Sequence, residues 1–408
     1  MPPDRLPDLI APTTPPAADP DAVARNLARH AEISADSYAA NTKRALEGDT
    51  RLFQAWCAGH GRISLPAEPR TVGDFVAAMA AGEAVEVESR DRHGRPRAVT
   101  LGGVRRPATI GRYLASIAHL HRAAGLAFDR AHPEITQRLR GVRRRLGVRQ
   151  RQARGLCWDE ILRMLPGDLP DRPPYEPLWE RLRSDERGAL KAAARLTWLS
   201  ALRDRALLLV AYETLCRRAE LVALRVEHLH RGPDGVTVFV ERAKNDPEGE
   251  GRHRPLRRRT VAALDAWLAA VDWSERERLR QDGRSRATVA AAPSVVASGP
   301  LFRSIHRAGR VRDAALPASR VPVILKRLGA EAGLDPEAVA GLSGHSTRVG
   351  AAQDLRRSGA SVLDLQAEGG WRDPRMPGRY TARIDAAHGA MARLARIQEG
   401  EDDGQGDT

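Results

Sequence analysis

The sequence predicts a mainly α-helical protein with two domains, the second of which contains a small antiparallel sheet. A length of 408 residues suits two or three domains of ordinary size. Apolar residues recur every three or four positions along most of the chain, which is typical of amphipathic helices. One segment, 235–242, alternates apolar and polar residues as a strand does, and 253–256 is its expected return partner.

Composition indicates where the domains begin and end. Residues 1–30 are rich in Pro, Ala and Asp without periodicity, so we interpret them as a disordered arm. The acidic tail 401–408 is expected to be disordered as well. Between them, 31–150 is expected to form a helical domain and 151–400 a second domain with helices and a sheet.

The first domain has the pattern of helices around one hairpin. Thr71, with Asp74 three residues later, resembles a capping box at the start of a helix. A further helix starts at Thr109, and its apolar residues share one face: Ile110, Leu114, Ile117, Leu120 and Ala124. Between these helices, 84–101 alternates on both sides of a turn at Gly94, which predicts a hairpin insertion.

Helical patterns dominate the second domain. A short helix is expected after Leu156, and the Pro-rich stretch 166–177 is then predicted to be a loop. A long apolar helix is expected over 196–212. The remaining predicted helices are 260–271, 317–332, 336–358, one that precedes Trp371, and a last amphipathic one over 384–397 with Ile384, Met391, Leu394 and Ile397 on its apolar face.

The charge of the chain points to a polyanionic partner. The net charge is +14, with 66 basic and 52 acidic residues, and only four of the basic residues are lysines. Codon bias would explain arginine in place of lysine, but it does not explain the surplus of basic over acidic residues. Nucleic acid is the usual partner of such a surface.

An arginine run marks the junction of the two expected domains. Residues 138–154 hold eight arginines and no acid. They are Arg138, Arg140, Arg143, Arg144, Arg145, Arg149, Arg151 and Arg154. A solvated helix face is the ordinary fate of a charge run, but one without compensating acids favours contact with DNA phosphates.

Several function classes are disfavoured. No apolar run approaches the roughly 18 residues of a membrane-spanning helix, and the first residues lack the apolar core of a signal peptide. Three widely spaced cysteines favour the reducing cytosol, and thus a cytoplasmic protein, over a disulfide framework. We expect no cofactor, since neither a metal-binding cluster nor a phosphate-binding GxxxxGK[ST] loop is present.

Three separated patches and one lysine share a common chemistry. They run over 211–226 (AYETLCRRAELVALRV), 342–355 (LSGHSTRVGAAQDL) and 368–380 (EGGW, with a tyrosine nine residues after the tryptophan). Arg217 and Arg348 are each suited to grip a phosphate oxygen through two N–H groups. His345 lies three residues before Arg348, so a helix would place both on one face.

These patches resemble the tyrosine recombinase (phage integrase) family, closest to its Cre-type branch. The ordered set of Arg217, Lys244, His345-x-x-Arg348, Trp371 and Tyr380 carries the resemblance. In the first half, LPAEPRTVGDF (65–75) and IAHLHRAAGL (117–126) are similar to the helical core-binding domain of that branch. The resemblance implies a SAM-like core-binding domain followed by an α+β catalytic domain of the DNA breaking-rejoining fold.

The resemblance also implies roles for single residues. Arg217 and Arg348 would neutralise the scissile phosphate, and Tyr380 would attack it to form a 3′-phosphotyrosyl bond. Lys244 would protonate the leaving 5′ oxygen, and His345 would help to deprotonate the tyrosine. Trp371 would donate its ring N–H to the phosphate, and Glu220 would orient its neighbours. The ordinary alternatives are an Arg217–Glu220 salt bridge, a core histidine, a packing tryptophan and a solvated lysine.

The implied activity is site-specific cleavage and rejoining of double-stranded DNA, independent of metal and ATP. A homotetramer on two DNA sites is expected, with the helix over 384–397 docked in a neighbour or, alternatively, on its own chain. The rival functions are a type IB topoisomerase, which shares the phosphotyrosine chemistry, and a DNA-binding protein without catalysis. Generic RNA binding is disfavoured because no strand carries the aromatic signature of an RNA-recognition sheet.

Overall fold

A computed structural model describes residues 19–35, 37–90, 94–149, 152–165, 184–241, 250–291, 296–387 and 389–399. The chain divides into two compact units, Met1–Arg151 and Gln152–Thr408. Helices predominate in the described residues, and the sheets are small and antiparallel, which confirms the predicted fold class. No helix in these described ranges is both long and apolar enough to cross a membrane.

The first unit contains five helices and one hairpin in its described part. The helices are α1 Pro20–Ser34, α2 Ala40–Gly59, α3 Pro69–Ala81, α4 Pro107–Ala123 and α5 Pro133–Leu146. Strands β1 (Val85–Arg90) and β2 (Pro96–Leu101) form the hairpin expected over 84–101, with Val85 opposite Leu101 and Arg90 opposite Pro96. Helix α3 packs against α5, and α2 packs against α4 and β1.

Helix α1 contradicts part of the expected disordered arm. Residues 20–30 are helical, whereas 1–18 lie outside the described residues. The Asp19 side chain accepts a hydrogen bond from the backbone N–H of Asp21, and Pro20 occupies the first helical turn, where its missing N–H costs nothing. The proline that suggested disorder therefore starts a helix. The tail 401–408 and the Pro-rich loop 166–177 also lie outside the described residues.

The second unit begins with helices around an apolar centre. They are α6 Trp158–Met164, α7 Ser184–Glu213 and α8 Arg218–Ala223. Residues 206–212 of α7 are all buried, and α7 packs against α9 (Arg258–Gln281) and α13 (Ser346–Arg357). A helix that is apolar on all sides belongs in the middle of a domain, and α7 occupies that place.

Two small sheets lie in the second unit. Strands β3 (Leu229–Gly232), β4 (Gly235–Val240) and β5 (Arg252–Leu256) form an antiparallel sheet in that order. Strands β6 (Arg303–His306) and β7 (Arg310–Ala315) form the other one. The predicted pair corresponds to β4 and β5. The sequence pattern did not predict β3, β6 and β7, because all three are short and lack clear alternation, and β3 and β7 are mostly exposed.

The remaining helices complete the second unit: α10 Arg286–Ala291, α11 Arg320–Glu331, α12 Pro336–Gly341, α14 Val362–Gly369, α15 Arg375–Ala387 and α16 Ala390–Glu399. Two single helices predicted from periodicity are each broken. The helix expected over 336–358 is divided between α12 and α13 by the loop 342–345, and the helix over 384–397 spans the end of α15 and most of α16.

Candidate active site

Arg217 stands where helix α7 has ended and α8 begins. Between the two helices, Leu215 has a left-handed backbone with a φ of 50°, which residues other than glycine rarely adopt. Arg217 is the N-cap of α8, and Glu220 at the third helical position accepts its backbone N–H at 3.0 Å and its Nη1 at 2.7 Å. The Arg217–Glu220 salt bridge considered from the sequence is thus present. It holds the guanidinium in one place.

Glu220 is almost completely buried, with 6% of its surface exposed. Burial raises the pKa of its carboxyl, but the hydrogen bonds from Arg217 and the charges of Arg217 and Arg252 outweigh burial, so the pKa lies below its usual range. The carboxylate therefore stays ionised at neutral pH and can keep orienting Arg217.

Arg348, on the first turn of α13, is only 2% exposed. Its Nη1 donates to the carbonyl oxygen of Leu215, and its Nη2 donates to that of Gly369 at 2.6 Å. Burial, followed by the charge of Arg217, lowers the pKa of Arg348 to about 10. Both of these acceptors are backbone carbonyls. The buried positive charge of Arg348 is therefore not neutralised by a carboxylate bonded to it.

Trp371 and Tyr380 lie next to Arg348. The Arg348 guanidinium is 4.2 Å above the centroid of the Trp371 ring, which is close enough for a cation–π interaction. The Trp371 and Tyr380 rings are 5.7 Å apart between centroids and tilted by 56°. Trp371 is buried and Tyr380 half-buried, and the indole packs against both the arginine and the phenol. Trp371 is thus a packing residue of this group.

His345 is the N-cap of α13, three residues before Arg348. Ser343 and Ser346 exchange hydrogen bonds across the loop 342–345 and end the periodic pattern there. The imidazole is open to solvent on one side. Partial burial, followed by the charges of Arg348, Arg218 and Arg217, lowers the pKa of His345. The ring is consequently neutral at neutral pH and can accept a proton.

Helix α15 carries Tyr380 and is attached to the unit at two successive carbonyls. Gln353 Nε2 donates to the carbonyl oxygen of Tyr380 at 3.1 Å, and Gln152 Nε2 donates to that of Arg379 at 2.8 Å. Asp385, one turn after the tyrosine, accepts from Arg356 on α13 at 2.5 Å. The backbone that presents the phenol is thus fixed from several sides.

The chain that enters the second unit runs directly along α13. The backbone N–H of Leu156 donates to the carbonyl of Ser346 at 2.9 Å. At Gly350 a Cβ atom would overlap the carbonyl group of Leu156. Only glycine permits so close an approach of two backbones in this place. The entering segment and the helix that bears Arg348 therefore share one interface.

Sequence reasoning missed Arg252, the first residue of β5. Its Nη2 lies 3.5 Å from Oε2 of Glu220, so that carboxylate sits between Arg217 and Arg252. Residues 252 and 254 point to the same side of the strand, which is the side opposite exposed His253. The available signal was the pair of arginines at 252 and 254. Alternate residues of a strand share one face, so both arginines turn inward together when that face is buried.

Lys244, the expected general acid, lies in 242–249, outside the described residues. Arg151 lies outside them as well. The other arginines of the run differ among themselves. Arg138 pairs with Asp74 and Glu134, and Arg154 with Glu160, so helices α3, α5 and α6 supply acids that the run itself lacks.

The remaining arginines of the run are exposed. Within the part of the chain that the structure describes, no carboxylate pairs with Arg140, Arg143, Arg144, Arg145 and Arg149. Three of them occupy the last turn of α5, where the helix dipole favours cations. Ile135, Leu139 and Val142 bury the opposite face of this helix. The arginines thus project away from the core of the first unit.

The described residues contain no group of three or more His, Cys, Asp and Glu side chains arranged to hold a metal ion. The cysteines, Cys57, Cys157 and Cys216, are all free thiols. What converges instead is a set of cationic, aromatic and hydrogen-bonding groups. Arg217 and Arg252 contact the buried carboxylate of Glu220, and Arg348 and Tyr380 both lie against the ring of Trp371. Such a set is suited to a phosphate ester.

Comparison with known proteins places this chain in a family. The model of the phage integrase family matches residues 180–386, just over half of the chain, and the chain therefore belongs to that family. Phage integrases are tyrosine recombinases, which are site-specific DNA strand-transferases that act through a phosphotyrosine and need neither metal nor ATP. The resemblance seen in the sequence is confirmed.

Individual relatives are distant but extend over most of the chain. An integrase/recombinase XerD homolog of Selenomonas ruminantium is 25% identical over 348 residues, 84% of this chain and 82% of the relative. The recombinase Cre of Escherichia phage P1 is 23% identical over 376 residues, 90% of both chains. The Tn1549 transposon integrase, solved in complex with transposon right end DNA, covers 91% of this chain and 99% of its own at 14% identity, with a TM-score of 0.51. It shares the fold.

Proposed function

We propose that Tyr380 is the nucleophile of a site-specific recombination on duplex DNA. Its phenol oxygen forms a bond to the scissile phosphorus, and the bond from phosphorus to the 5′ oxygen breaks. The phenol proton goes to a base, and the leaving oxygen takes up a proton from an acid. A 5′-hydroxyl of the partner duplex then reverses the step and releases the tyrosine. The contact of the Trp371 ring with both Arg348 and Tyr380 is the observation that carries this proposal.

The two arginines stabilise the charge that builds up at phosphorus. Arg217 is held by Glu220, and Arg348 by two carbonyls, so both are oriented before DNA arrives. Together they bring two positive charges to a site with one buried carboxylate, that of Glu220. A phosphodiester would neutralise part of the surplus, and its pentacoordinate transition state carries more negative charge still. The pocket therefore favours the transition state over the ground state.

The remaining roles follow the family pattern. His345, neutral at neutral pH, takes the phenol proton, and Lys244 donates a proton to the leaving 5′ oxygen. The Trp371 N–H has no acceptor among the described residues, and donates to a phosphate oxygen when DNA is bound. Glu220 orients Arg217.

DNA binding uses both units. The unit Met1–Arg151 acts as the core-binding domain, with the exposed arginines of α5 on the phosphate backbone, and Gln152–Thr408 acts as the catalytic domain. Arg138, Arg151 and Arg154 contribute to the same contact. The free thiols agree with a cytoplasmic location, where bacterial and phage DNA is found.

The active assembly is a homotetramer on two DNA sites. Helix α16 exposes three apolar residues at three-residue steps, Met391, Leu394 and Ile397, which are 76%, 43% and 63% exposed. The described residues of its own chain leave this face uncovered, which favours docking in a neighbouring protomer over docking on itself. Ile384 is half-buried in α15 and is therefore not part of that face.

The test is covalent trapping on a nicked suicide duplex that carries the recombination site. Tyr380→Phe is expected to bind this DNA with unchanged affinity and to form no protein–DNA adduct. Tyr212→Phe is the matched control, since Tyr212 is a core residue whose hydroxyl donates to Asp354 and whose pKa burial raises far above its usual value. Adducts that persist in Tyr380→Phe would place the nucleophile elsewhere.

A further inference from the structure

Arg252 lies where the β4–β5 sheet meets the active site. It is the first residue of β5, and only 19% of its side chain is exposed. Its Nη2 approaches Glu220 Oε2 at 3.5 Å, while the other oxygen of that carboxylate accepts from Arg217 at 2.7 Å. Glu220 is thus held between two guanidinium groups, and the oxygen that Arg252 approaches also accepts the backbone N–H of Arg217 at 3.0 Å.

The same guanidinium lies against the turn that follows α14. A Cβ atom on Gly370 would overlap Nη1 of Arg252, and Gly370 has a left-handed backbone with φ of 61°. Glycine at this position therefore provides both the turn and the space for the arginine. The two neighbours of Gly370 both bind Arg348: Gly369 through its carbonyl oxygen and Trp371 through its ring.

Arg252 consequently connects two halves of the site that are far apart in sequence. On one side stand Glu220 and Arg217, and on the other the turn that holds Arg348 and Trp371. The Nε of Arg252 is buried without an acceptor among the described residues, so this side chain is kept inside at some cost. A residue without a role in the site would extend its charge into water.

We propose that Arg252 is a positioning residue for strand transfer. It fixes Glu220, and through it Arg217, relative to the turn that sets Arg348 and Trp371. The inference rests on the proposed function of the site, and it adds a residue that acts through the other groups. Without Arg252 the two guanidinium groups drift apart although both remain present, and misplacement on the order of 1 Å can cost about 100-fold in rate.

The experiment measures single-turnover cleavage of the nicked suicide duplex by the full-length protein. Arg252→Gln is expected to slow cleavage about 10- to 100-fold with unchanged DNA affinity, and Arg252→Lys to recover part of the rate. Arg280→Gln is the control, because Arg280 makes an exposed pair with Glu277 on α9. The double variant with Glu220→Gln is expected to be no slower than Glu220→Gln alone, since one residue acts through the other.

A second substrate separates positioning from charge neutralisation. With a neutral methylphosphonate at the scissile position, the defect of Arg252→Gln should persist, because the substitution disturbs geometry rather than charge. A defect that disappears on this substrate, a wild-type rate in Arg252→Gln, or fully additive effects in the double variant would each overturn the proposal. If Arg252→Gln does not fold, Gly370→Ala displaces the same guanidinium and must show the same pattern.

Failure of the positioning role is distinguishable from failure of the proposed function. Adducts formed by Tyr380→Phe would reject the nucleophile, whatever Arg252 does. A wild-type protein that cleaves through Tyr380, together with a fully active Arg252→Gln, would reject only the role of Arg252.

Discussion

The guanidinium of Arg348 lies 4.2 Å above the ring of Trp371, and this contact joins two patches that are separated by a whole helix in the sequence. Trp371 is 5% exposed, so it packs inside the site in addition to the proposed donation of its N–H to a phosphate oxygen. Two substitutions separate these contributions. Trp371→Phe keeps a ring beneath the arginine and removes the N–H, whereas Trp371→Ala removes both.

We expect Trp371→Phe to cleave DNA about 10- to 100-fold more slowly than wild type, since a hydrogen bond to a charged phosphate contributes about 1.5–3 kcal/mol. Trp371→Ala should cleave at least about 100-fold more slowly and be destabilised by about 3–5 kcal/mol, because it opens a cavity beside Arg348. Suicide-substrate cleavage and urea unfolding measure the two effects. Equal cleavage by the two variants would make the N–H, and not the packing, the important feature.

Cleavage should be lost at acidic pH, because protonation of His345 removes the base that accepts the phenol proton. Burial and neighbouring arginines lower the pKa of His345, so half-protonation is reached at a pH below the ordinary value near 6.5. The base is therefore present at neutral pH, and the rate falls as pH decreases through this lowered pKa. His345→Gln is expected to be slow and to lack this acid limb. An unchanged acid limb in that variant would assign the titration to another group.

The exposed arginines at the end of α5 are expected to contact phosphates. Replacing Arg143, Arg144 and Arg145 by Ala should weaken binding on all DNA sequences alike. The slope of log K against log salt should become shallower by about 0.9 for each phosphate that is no longer neutralised. Filter binding over a range of salt concentrations measures this, and Arg25→Ala serves as the control, because Arg25 pairs with Asp19 on α1. An unchanged slope in the triple variant would show that these three arginines are exposed to solvent and do not contact phosphates.

The two glutamines that bond helix α15 should matter for cleavage and not for DNA affinity. Gln353→Ala and Gln152→Ala each remove one hydrogen bond to a carbonyl at or beside Tyr380. A penalty of about 1 kcal/mol in alignment corresponds to roughly 5-fold in rate. Single-turnover cleavage at saturating DNA isolates this effect. A change confined to the dissociation constant would show that the amides serve binding instead.

The apolar face of α16 should control assembly. Leu394→Asp with Ile397→Asp is expected to leave the unfolding midpoint of the free protein unchanged, because both side chains are exposed. The same change should prevent the complex that joins two DNA sites, since a charge cannot be buried in an apolar pocket. Light scattering with site-bearing DNA provides the measurement. Normal tetramers in this variant would remove α16 from the interface.

Periodicity predicted most helices and the β4–β5 pair, but it could not see where a helix is interrupted by local hydrogen bonds. Helical patterns lie on both sides of 342–345, where the side chains of Ser343 and Ser346 accept backbone N–H groups and interrupt the helix. Helix α1 was missed because composition was given more weight than the local signals for a helix start. A Pro-rich composition suggested disorder, whereas Asp19 and Pro20 form an ordinary helix start.

Candidate site residues were found where a motif has fixed spacing, as in His345-x-x-Arg348. Arg252 was not, because a strand arginine carries no motif and its burial depends on which tertiary neighbours cover the strand. Only the folded chain brings Glu220 and Gly370 to its two sides. The roles of Arg217, Lys244, His345, Arg348, Trp371 and Tyr380 stay predictions until the cleavage experiments are done.

Gly350 has a consequence for how this chain tolerates change. Glycine inside a helix costs about 0.5–1 kcal/mol relative to alanine, and on helix propensity alone alanine would be preferred. Yet any side chain would push away the segment at Leu156 and tilt the helix that holds Arg348. A saturation library selected for recombination should therefore retain glycine alone at this codon, although no substrate atom needs to touch it.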